Sequence, residues 1–209
     1  GARLRPDEYS HSSIRNLYLD TPDFRLIRRS LEKPVYKEKL RLRSYGRADR
    51  EHPVFMELKK KYRSIVYKRR LTLPYGRALD CLTGDCPWPE TQIGREIGYA
   101  MDFYPDLEPR VFLSYERDSW YAPESGLRIT FDDAIRFRTA DLTLDSDLWG
   151  TALLRPDQVL MELKAPGAIP LWMVRLLTEM GLYKTSFSKY GTAYQILLEQ
   201  EYKGGKRYA

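Results

Sequence analysis

The ten residues Tyr36–Tyr45, YKEKLRLRSY, alternate long cations with other residues. Successive side chains of a β-strand point to opposite faces of a sheet, so this spacing predicts a strand with one basic face. That face carries Lys37, Lys39, Arg41 and Arg43. Leu40 and Leu42 would point the other way, into the core. Because four cations in a row repel one another, the basic face needs water, carboxylates or a bound anion beside it.

The segments that follow repeat this alternation. Two further strands are predicted directly after the basic one, and a helical insert then occupies about residues 74–105, where apolar residues take helical spacing. Strands resume after the insert, and two amphipathic helices end the chain. A strand is also predicted before the basic one, and the residues ahead of it, Gly1–Ser13, are expected to be irregular. The predicted strands are Ile14–Asp20, Tyr36–Tyr45, Val54–Lys61, Ile65–Leu73, Val111–Tyr121, Leu127–Asp132, Ile135–Arg138 and Val159–Lys164; the last two helices are Pro170–Met180 and Ser188–Gln200.

Charged residues share one face on six of these strands. They are Lys37, Lys39, Arg41, Arg43, Glu57, Lys59, Lys68, Arg70, Arg117, Arg128, Glu162 and Lys164. An antiparallel sheet with one solvated face would show the same alternation, so periodicity alone leaves that reading open. However, solvated faces are usually rich in short polar residues, whereas long cations dominate here. We therefore predict an α+β fold: an antiparallel β-barrel with a basic lumen, flanked by helices that cover its apolar exterior.

A basic lumen favours an anion that carries several charges along its length, because guanidinium groups engage phosphate oxygens in pairs. Two carboxylates interrupt the cations, each in an E-L-K triplet at Glu57 and Glu162. The ordinary interpretation is a pair of surface ions that neutralise each other. The alternative is a divalent cation that bridges carboxylate and phosphate, and oxygen ligands favour Mg²⁺ or Mn²⁺ over zinc.

Composition restricts the class of protein and the charge of its partners, but it does not identify a partner. The 209 residues carry a formal net charge of +6, which favours anionic partners. Cys81 and Cys86 lack a matching Cys or His cluster, so neither zinc nor a disulfide framework is expected. His11 and His52 fall in predicted loops and receive no role. No run of 18 apolar residues and no signal peptide is present, so a cytoplasmic location without a membrane segment is expected.

Several motifs together resemble the VTC domain, the polyphosphate polymerase branch of the triphosphate tunnel metalloenzymes, within the CYTH-like superfamily. They run in order from Ile14 to Leu198: YLDTP, KEKLRLRSYG, ELK leading to VYKRR, SYERDSWY with LRITFD, VLMELK, and SFSKYG. The resemblance implies one tunnel domain over residues 1–209, an antiparallel β tunnel flanked by helices. It also implies transfer of the γ-phosphoryl group of ATP to a growing polyphosphate chain with Mn²⁺ or Mg²⁺, and no nucleic acid partner.

The resemblance also implies roles for particular residues. Arg41 and Arg43 would bind the phosphates, with Lys59 and Lys68 on the next two strands. Arg117 and Arg128 would form the opposite wall, Glu162 would hold the metal, and Lys189 would close the tunnel near the last helix. The match is looser for Lys37, Lys39, Glu57, Arg70 and Lys164. Ordinary alternatives stay open: Lys189 in a first helical turn, and Arg117 paired with Glu116 or Asp118.

The sequence departs from the family pattern at its N-terminus. Family members begin with a strand that carries a basic or E-x-K motif, and here thirteen polar residues stand before Ile14. Either upstream sequence has been trimmed, as a start at Gly1 without Met suggests, or another segment replaces that wall. Two other functions remain open: triphosphate hydrolysis on the same scaffold, and a non-catalytic module that binds polyphosphate.

Overall fold

A computed structural model of the chain describes residues 4–63 and 65–203, and for Lys203 the backbone only. This part of the chain forms an antiparallel sheet of eight strands with five helices. The strands are β1 (Arg5–Asp20), β2 (Tyr36–Tyr45), β3 (Pro53–Tyr62), β4 (Ile65–Pro74), β5 (Glu108–Ala122), β6 (Leu127–Arg138), β7 (Thr151–Ala152) and β8 (Leu160–Lys164). The helices are α1 (Arg25–Leu31), α2 (Tyr75–Thr83), α3 (Gln92–Phe103), α4 (Leu171–Glu179) and α5 (Lys189–Lys203).

The strand order is β4-β3-β2-β1-β5-β6-β7, and β8 also pairs with β6. Directly opposed residues of antiparallel strands share a face, so the pairing register assigns each side chain to one side of the sheet. We call the face that carries Arg41 the inner face and the other the outer face. Arg41 lies opposite Tyr18 of β1 and Glu57 of β3, which places all three on the inner face.

The outer face supplies most of the hydrophobic core. On β1 to β4 it buries leucines such as Leu17, Leu40 and Leu58 beneath α2 and α3. On β6 and β8 it packs against α4, where Met173 contacts the cluster that contains Ile129. Helices therefore cover the apolar side of the sheet, as the alternation in the sequence predicts.

The inner face is divided between an apolar part and a charged part. Helix α5 covers the apolar part, with Tyr190 and Ala193 buried against β1, β5 and β6. The Tyr190 ring stacks on Tyr18, with ring centroids 4.4 Å apart, and its hydroxyl donates to Asp20 at 2.8 Å. These contacts fix the start of α5 over the sheet, and the charged part of the inner face remains beside it.

The α+β antiparallel architecture flanked by helices is confirmed, and two strands depart most from their predicted bounds. Residues Arg5–Ser13 are strand instead of irregular, because β1 continues along β5 although its side chains are polar on both faces. Leu127–Asp132 and Ile135–Arg138 form one strand, since a bulge at Ala134, with φ of 46°, absorbs the expected turn. Within residues 4–63 and 65–203, no backbone ladder joins β4 to β7 or β8.

None of the helices in the described ranges has the length and apolar character that a membrane crossing requires.

Candidate functional site

The strand register places every sequence-predicted strand residue of the site on the inner face. Lys39, Arg41 and Arg43 lie on this face of β2. The pairing register places the predicted residues of β3, β4, β5, β6 and β8 on the same face. Lys189, at the first residue of α5, reaches the same face from above. The predicted strand residues that share this face are Lys37, Lys39, Arg41, Arg43, Glu57, Lys59, Lys68, Arg70, Arg117, Arg128, Glu162 and Lys164.

Glu57 is the centre of the first charged cluster. Its side chain is 2% exposed, and both carboxylate oxygens contact cations. Oε2 lies 2.7 Å from the Arg41 guanidinium and 3.9 Å from that of Arg43. Oε1 lies 2.9 Å from Lys68 and 2.6 Å from Arg70. We call these five residues the Glu57 cluster.

The Glu57 carboxylate holds its four cations in place against their mutual repulsion. Burial would raise the pKa of Glu57, but the surrounding Arg41, Arg43 and Lys68 outweigh burial and lower it well below its usual range. The group therefore stays ionised at neutral pH. Because each oxygen already accepts from cations, Glu57 has little capacity left for a metal ion, and the geometry favours a positioning role over the expected metal ligation.

Asp132 is the centre of a second cluster on the facing strands. Its side chain is fully buried, and it accepts a bidentate pair of hydrogen bonds from Arg117 at 2.6 and 2.8 Å. The Lys189 ammonium donates to the same carboxylate. Burial raises the pKa of Asp132, but Arg117 and Lys189 together bring it below its usual value. Arg117 therefore pairs with Asp132, rather than with Glu116 or Asp118 as the alternative from the sequence held.

Two tyrosines contact the cations of these clusters, and Tyr115 contacts both clusters. The Arg41 guanidinium donates to the Tyr18 hydroxyl at 3.0 Å, and Arg43 donates to the Tyr115 hydroxyl at 3.3 Å. The Lys189 ammonium lies 4.5 Å from the centre of the Tyr115 ring. Since β2 and β5 are separated by β1, this contact between their side chains brings the two clusters together over β1.

Sequence reasoning missed five residues that hold the inner-face cations. Asp132 ends a predicted strand and received no role, and the tyrosines received none either. Ser188, whose hydroxyl accepts from Lys39 at 3.0 Å, received no role. The sequence did contain a signal for Asp132. Arg128, Thr130 and Asp132 are alternate residues of one strand, so Asp132 lies on the same face as Arg128. The missed residues are Asn16, Tyr18, Tyr115, Asp132 and Ser188.

The remaining predicted residues lie toward the solvent. Lys59 is exposed, and Arg128 pairs with Asp7 of β1 at 3.0 Å. Lys164 lies 3.3 Å from Glu162, and both side chains are about half exposed. Lys39, by contrast, is half-buried; burial and the neighbouring cations lower its pKa. The inner face therefore offers enclosed cations at its centre and hydrated ones at its margin.

Of the two predicted metal ligands, only Glu162 fits a divalent cation. Its carboxylate is 45% exposed, and its contacts to Lys164 at 3.3 Å and Arg117 at 4.0 Å leave oxygen lone pairs open. The described residues contain no group of three side chains that could hold a metal alone. Mg²⁺ commonly takes one or two protein carboxylates and completes its coordination with substrate phosphates and water. A single carboxylate beside a basic face suits that arrangement.

The family model described as the VTC domain matches residues 2–198 of this chain. The chain belongs to the VTC domain family. The match covers both clusters and the start of α5, so the family assignment agrees with the resemblance carried by the motifs.

A solved structure supports the fold of this VTC domain. The chain is similar to a crystal structure from Bacillus halodurans described as a "putative adenylate cyclase", with a TM-score of 0.51 and 16% sequence identity. The similarity covers 87% of this chain and 81% of the other. At this identity it shows a shared fold and nothing about the reaction. A search of curated proteins finds no match.

Proposed function

We propose that this VTC domain is a polyphosphate polymerase that transfers the γ-phosphoryl group of ATP to the end of a polyphosphate chain. The observation that carries this proposal is the pair of charged clusters on one face of the sheet. Arginines and lysines from β2, β4, β5 and α5 converge there, and the Glu57 and Asp132 carboxylates fix them in position. A multiply charged, extended anion is the ligand that such a face fits best.

The chemistry needs charge stabilisation and positioning rather than a protein nucleophile. In the proposed reaction, a terminal oxygen of the polyphosphate forms a bond to the γ-phosphorus of ATP, and the bond from that phosphorus to the β,γ-bridging oxygen breaks. ADP leaves, and the chain is one phosphate longer. Arg41 and Arg43 on one side and Arg117 and Lys189 on the other would neutralise the transferring group. The enclosed position of these cations strengthens that interaction relative to water.

Glu162 would hold Mn²⁺ or Mg²⁺ beside the phosphates. When bound, such an ion supplies positive charge to phosphate oxygens and offsets their repulsion from the carboxylate. Lys39, Lys59, Lys68, Arg70, Arg128 and Lys164 would bind phosphates along the rest of the inner face. Glu57 would act through Arg41 and Arg70 by holding their side chains toward the ligand.

The test is incubation of the chain with ATP and Mn²⁺, with the products separated by length on a gel. A ladder of polyphosphates is expected. Arg41→Gln should slow its formation by roughly a hundredfold, the usual cost of removing one donor to the transferring group. Arg175→Gln, on the exposed side of α4, is the matched control and should leave the rate unchanged.

The other outcomes separate the alternative functions. Release of inorganic phosphate without a ladder would show a triphosphate hydrolase. Binding of ATP and polyphosphate without turnover would show a binding module. An Arg41→Gln variant as active as the unaltered chain would contradict the assignment of the reaction to this face.

A further inference from the structure

Two aromatic residues stand at one end of the charged inner face. Tyr45 is the last residue of β2, two positions after Arg43, and Phe55 lies on β3 directly opposite Arg43. Their rings meet edge to face, with centroids 5.6 Å apart and planes at 81°. The Tyr45 side chain is 40% exposed, although aromatic residues elsewhere on this face, such as Tyr18 and Tyr115, are buried.

The aromatic pair adjoins cations of the Glu57 cluster. The Arg70 guanidinium lies 4.6 Å from the centre of the Phe55 ring. Burial acts to raise the pKa of Tyr45, but the nearby Arg43 and Arg70 outweigh it and lower the pKa. An exposed ring therefore lies within reach of the two arginines that the proposed function assigns to phosphate binding.

The opposite end of the same strands has a different character. Lys37 of β2 lies opposite Lys61 of β3, and Lys59 follows on the same face. Burial and these neighbouring ammonium groups lower the pKa of Lys37, and no ion pair within the described ranges relieves the three lysines. One end of the face thus carries an aromatic pair and the other carries three lysines.

We propose that Tyr45 and Phe55 form a platform for the base of a nucleoside triphosphate, so that the nucleotide occupies this end and the phosphate chain extends toward Lys37 and Lys61. This inference rests on the proposed function. A nucleotide has the matching polarity, an aromatic ring at one end and negative charge at the other. A strand rises about 3.3 Å per residue, which places Tyr45 roughly 13 Å from Arg41 along β2. Stacking favours every base to some degree, so the platform selects nucleotides over inorganic phosphates rather than one base over another.

The test compares the affinities of two ligands, ATP and inorganic tripolyphosphate, which lacks a base. Phe55→Ala and Tyr45→Ala should each weaken ATP binding about tenfold, as expected for the loss of one stacking contact. Tripolyphosphate affinity should change by less than about twofold, because the phosphate-binding cations remain. Tyr45→Phe keeps the ring and should bind ATP like the unaltered chain.

The matched controls are Tyr99→Ala and Phe103→Ala. These residues form an exposed, stacked pair on α3, with centroids 6.1 Å apart, and are not expected to contact the ligand. Thermal unfolding of each variant shows that it is folded before its affinity is measured.

The outcomes distinguish this inference from the function on which it rests. If the unaltered chain binds both ligands and the Tyr45 and Phe55 variants lose ATP and tripolyphosphate equally, or lose neither, the platform is wrong and the phosphate site stands. If the unaltered chain binds neither ligand, the proposed function fails and the platform fails with it.

Discussion

At the scale of single residues, the buried carboxylate of Glu57 stabilises the folded chain. Four cations surround a carboxylate that is 2% exposed, at distances of 2.6 to 3.9 Å. Glu57→Gln keeps the shape and removes the charge, so Arg41, Arg43, Lys68 and Arg70 would repel one another without compensation. Loss of one partner from a buried pair costs about 3–5 kcal/mol. Lys68 and Arg70 are partly hydrated, so we expect about 2–3 kcal/mol, seen as a Tm lower by roughly 5–10 °C.

The stabilisation that Glu57 provides should depend on pH. The folded-state pKa of Glu57 lies below its ordinary value, so its contribution to stability is complete above about pH 4.3 and is lost as the pH falls from there through the folded pKa. The Tm difference between the unaltered chain and Glu57→Gln should therefore be constant near neutral pH and should shrink in acid. Glu162→Gln, whose carboxylate is half exposed, is the control and should change the Tm little at any pH. An equal effect of both substitutions would contradict the role given to Glu57.

The identity of the inner-face residues was predictable from the sequence, but their partners were not. Alternation along a strand is a local property, so residues 37–43 reveal a basic face by themselves. The contact of Arg70 with Glu57 depends on the register of two strands, and that of Lys189 with Asp132 depends on where a helix packs. Neither contact corresponds to a fixed spacing of residues in the sequence. For this reason the sequence predicts that Glu57 binds a metal ion, whereas in the structure its oxygens contact arginine and lysine side chains.

At the scale of elements, the last helix brings Lys189 to the sheet through the neighbouring residue. Tyr190 is 2% exposed, stacks on Tyr18 and donates to Asp20. Tyr190→Phe removes only the hydrogen bond and should cost about 1 kcal/mol, leaving α5 in place and the rate of polyphosphate synthesis nearly unchanged. Tyr190→Ala removes the ring and should cost about 3–5 kcal/mol. Because Lys189 would lose its fixed position, the rate should fall as well.

The measurements are the Tm and the rate of polyphosphate formation for each variant. Lys189→Gln separates the two effects, because it removes the ammonium without removing the packing of Tyr190. We expect it to match Tyr190→Ala in rate and to retain more stability. If Tyr190→Ala lost stability but kept its rate at a temperature where it is folded, α5 would not position the site.

Elements whose sequence lacks a periodic signal were the ones predicted least well. Arg5–Ser13 carries polar residues at both parities, so its strand character comes from pairing with β5 and not from its own pattern. The bulge in β6 has a similar explanation. Asp132-Asp133 is a common turn signal, yet flanking strands on both sides hold β6 extended across it. The two-residue strand β7 is too short for any periodicity.

At the scale of the whole molecule, the sheet separates charge from apolar surface. Helices α2, α3 and α4 cover the outer face, and cations gather on the inner face, where Arg43 and Tyr115 meet across β1. A single extended chain of phosphates can lie along such a face. A DNA duplex carries its phosphates on a convex surface, so few of them could approach the enclosed arginines. Net positive charge alone would not distinguish these two anions.

This distinction gives the last prediction. Polyphosphate at a hundred times its Kd should stabilise the folded chain by about 2.7 kcal/mol, which raises the Tm by roughly 5–10 °C. Duplex DNA at the same phosphate concentration should raise it far less. Thermal unfolding with each ligand, and with sodium sulfate at equal ionic strength as the control for screening, measures the difference. Added NaCl should weaken the effect of polyphosphate, because the margin of the face is hydrated. If duplex DNA stabilised the chain as strongly as polyphosphate, the cations would have to face open solvent, and a binding site for single phosphate chains would be excluded.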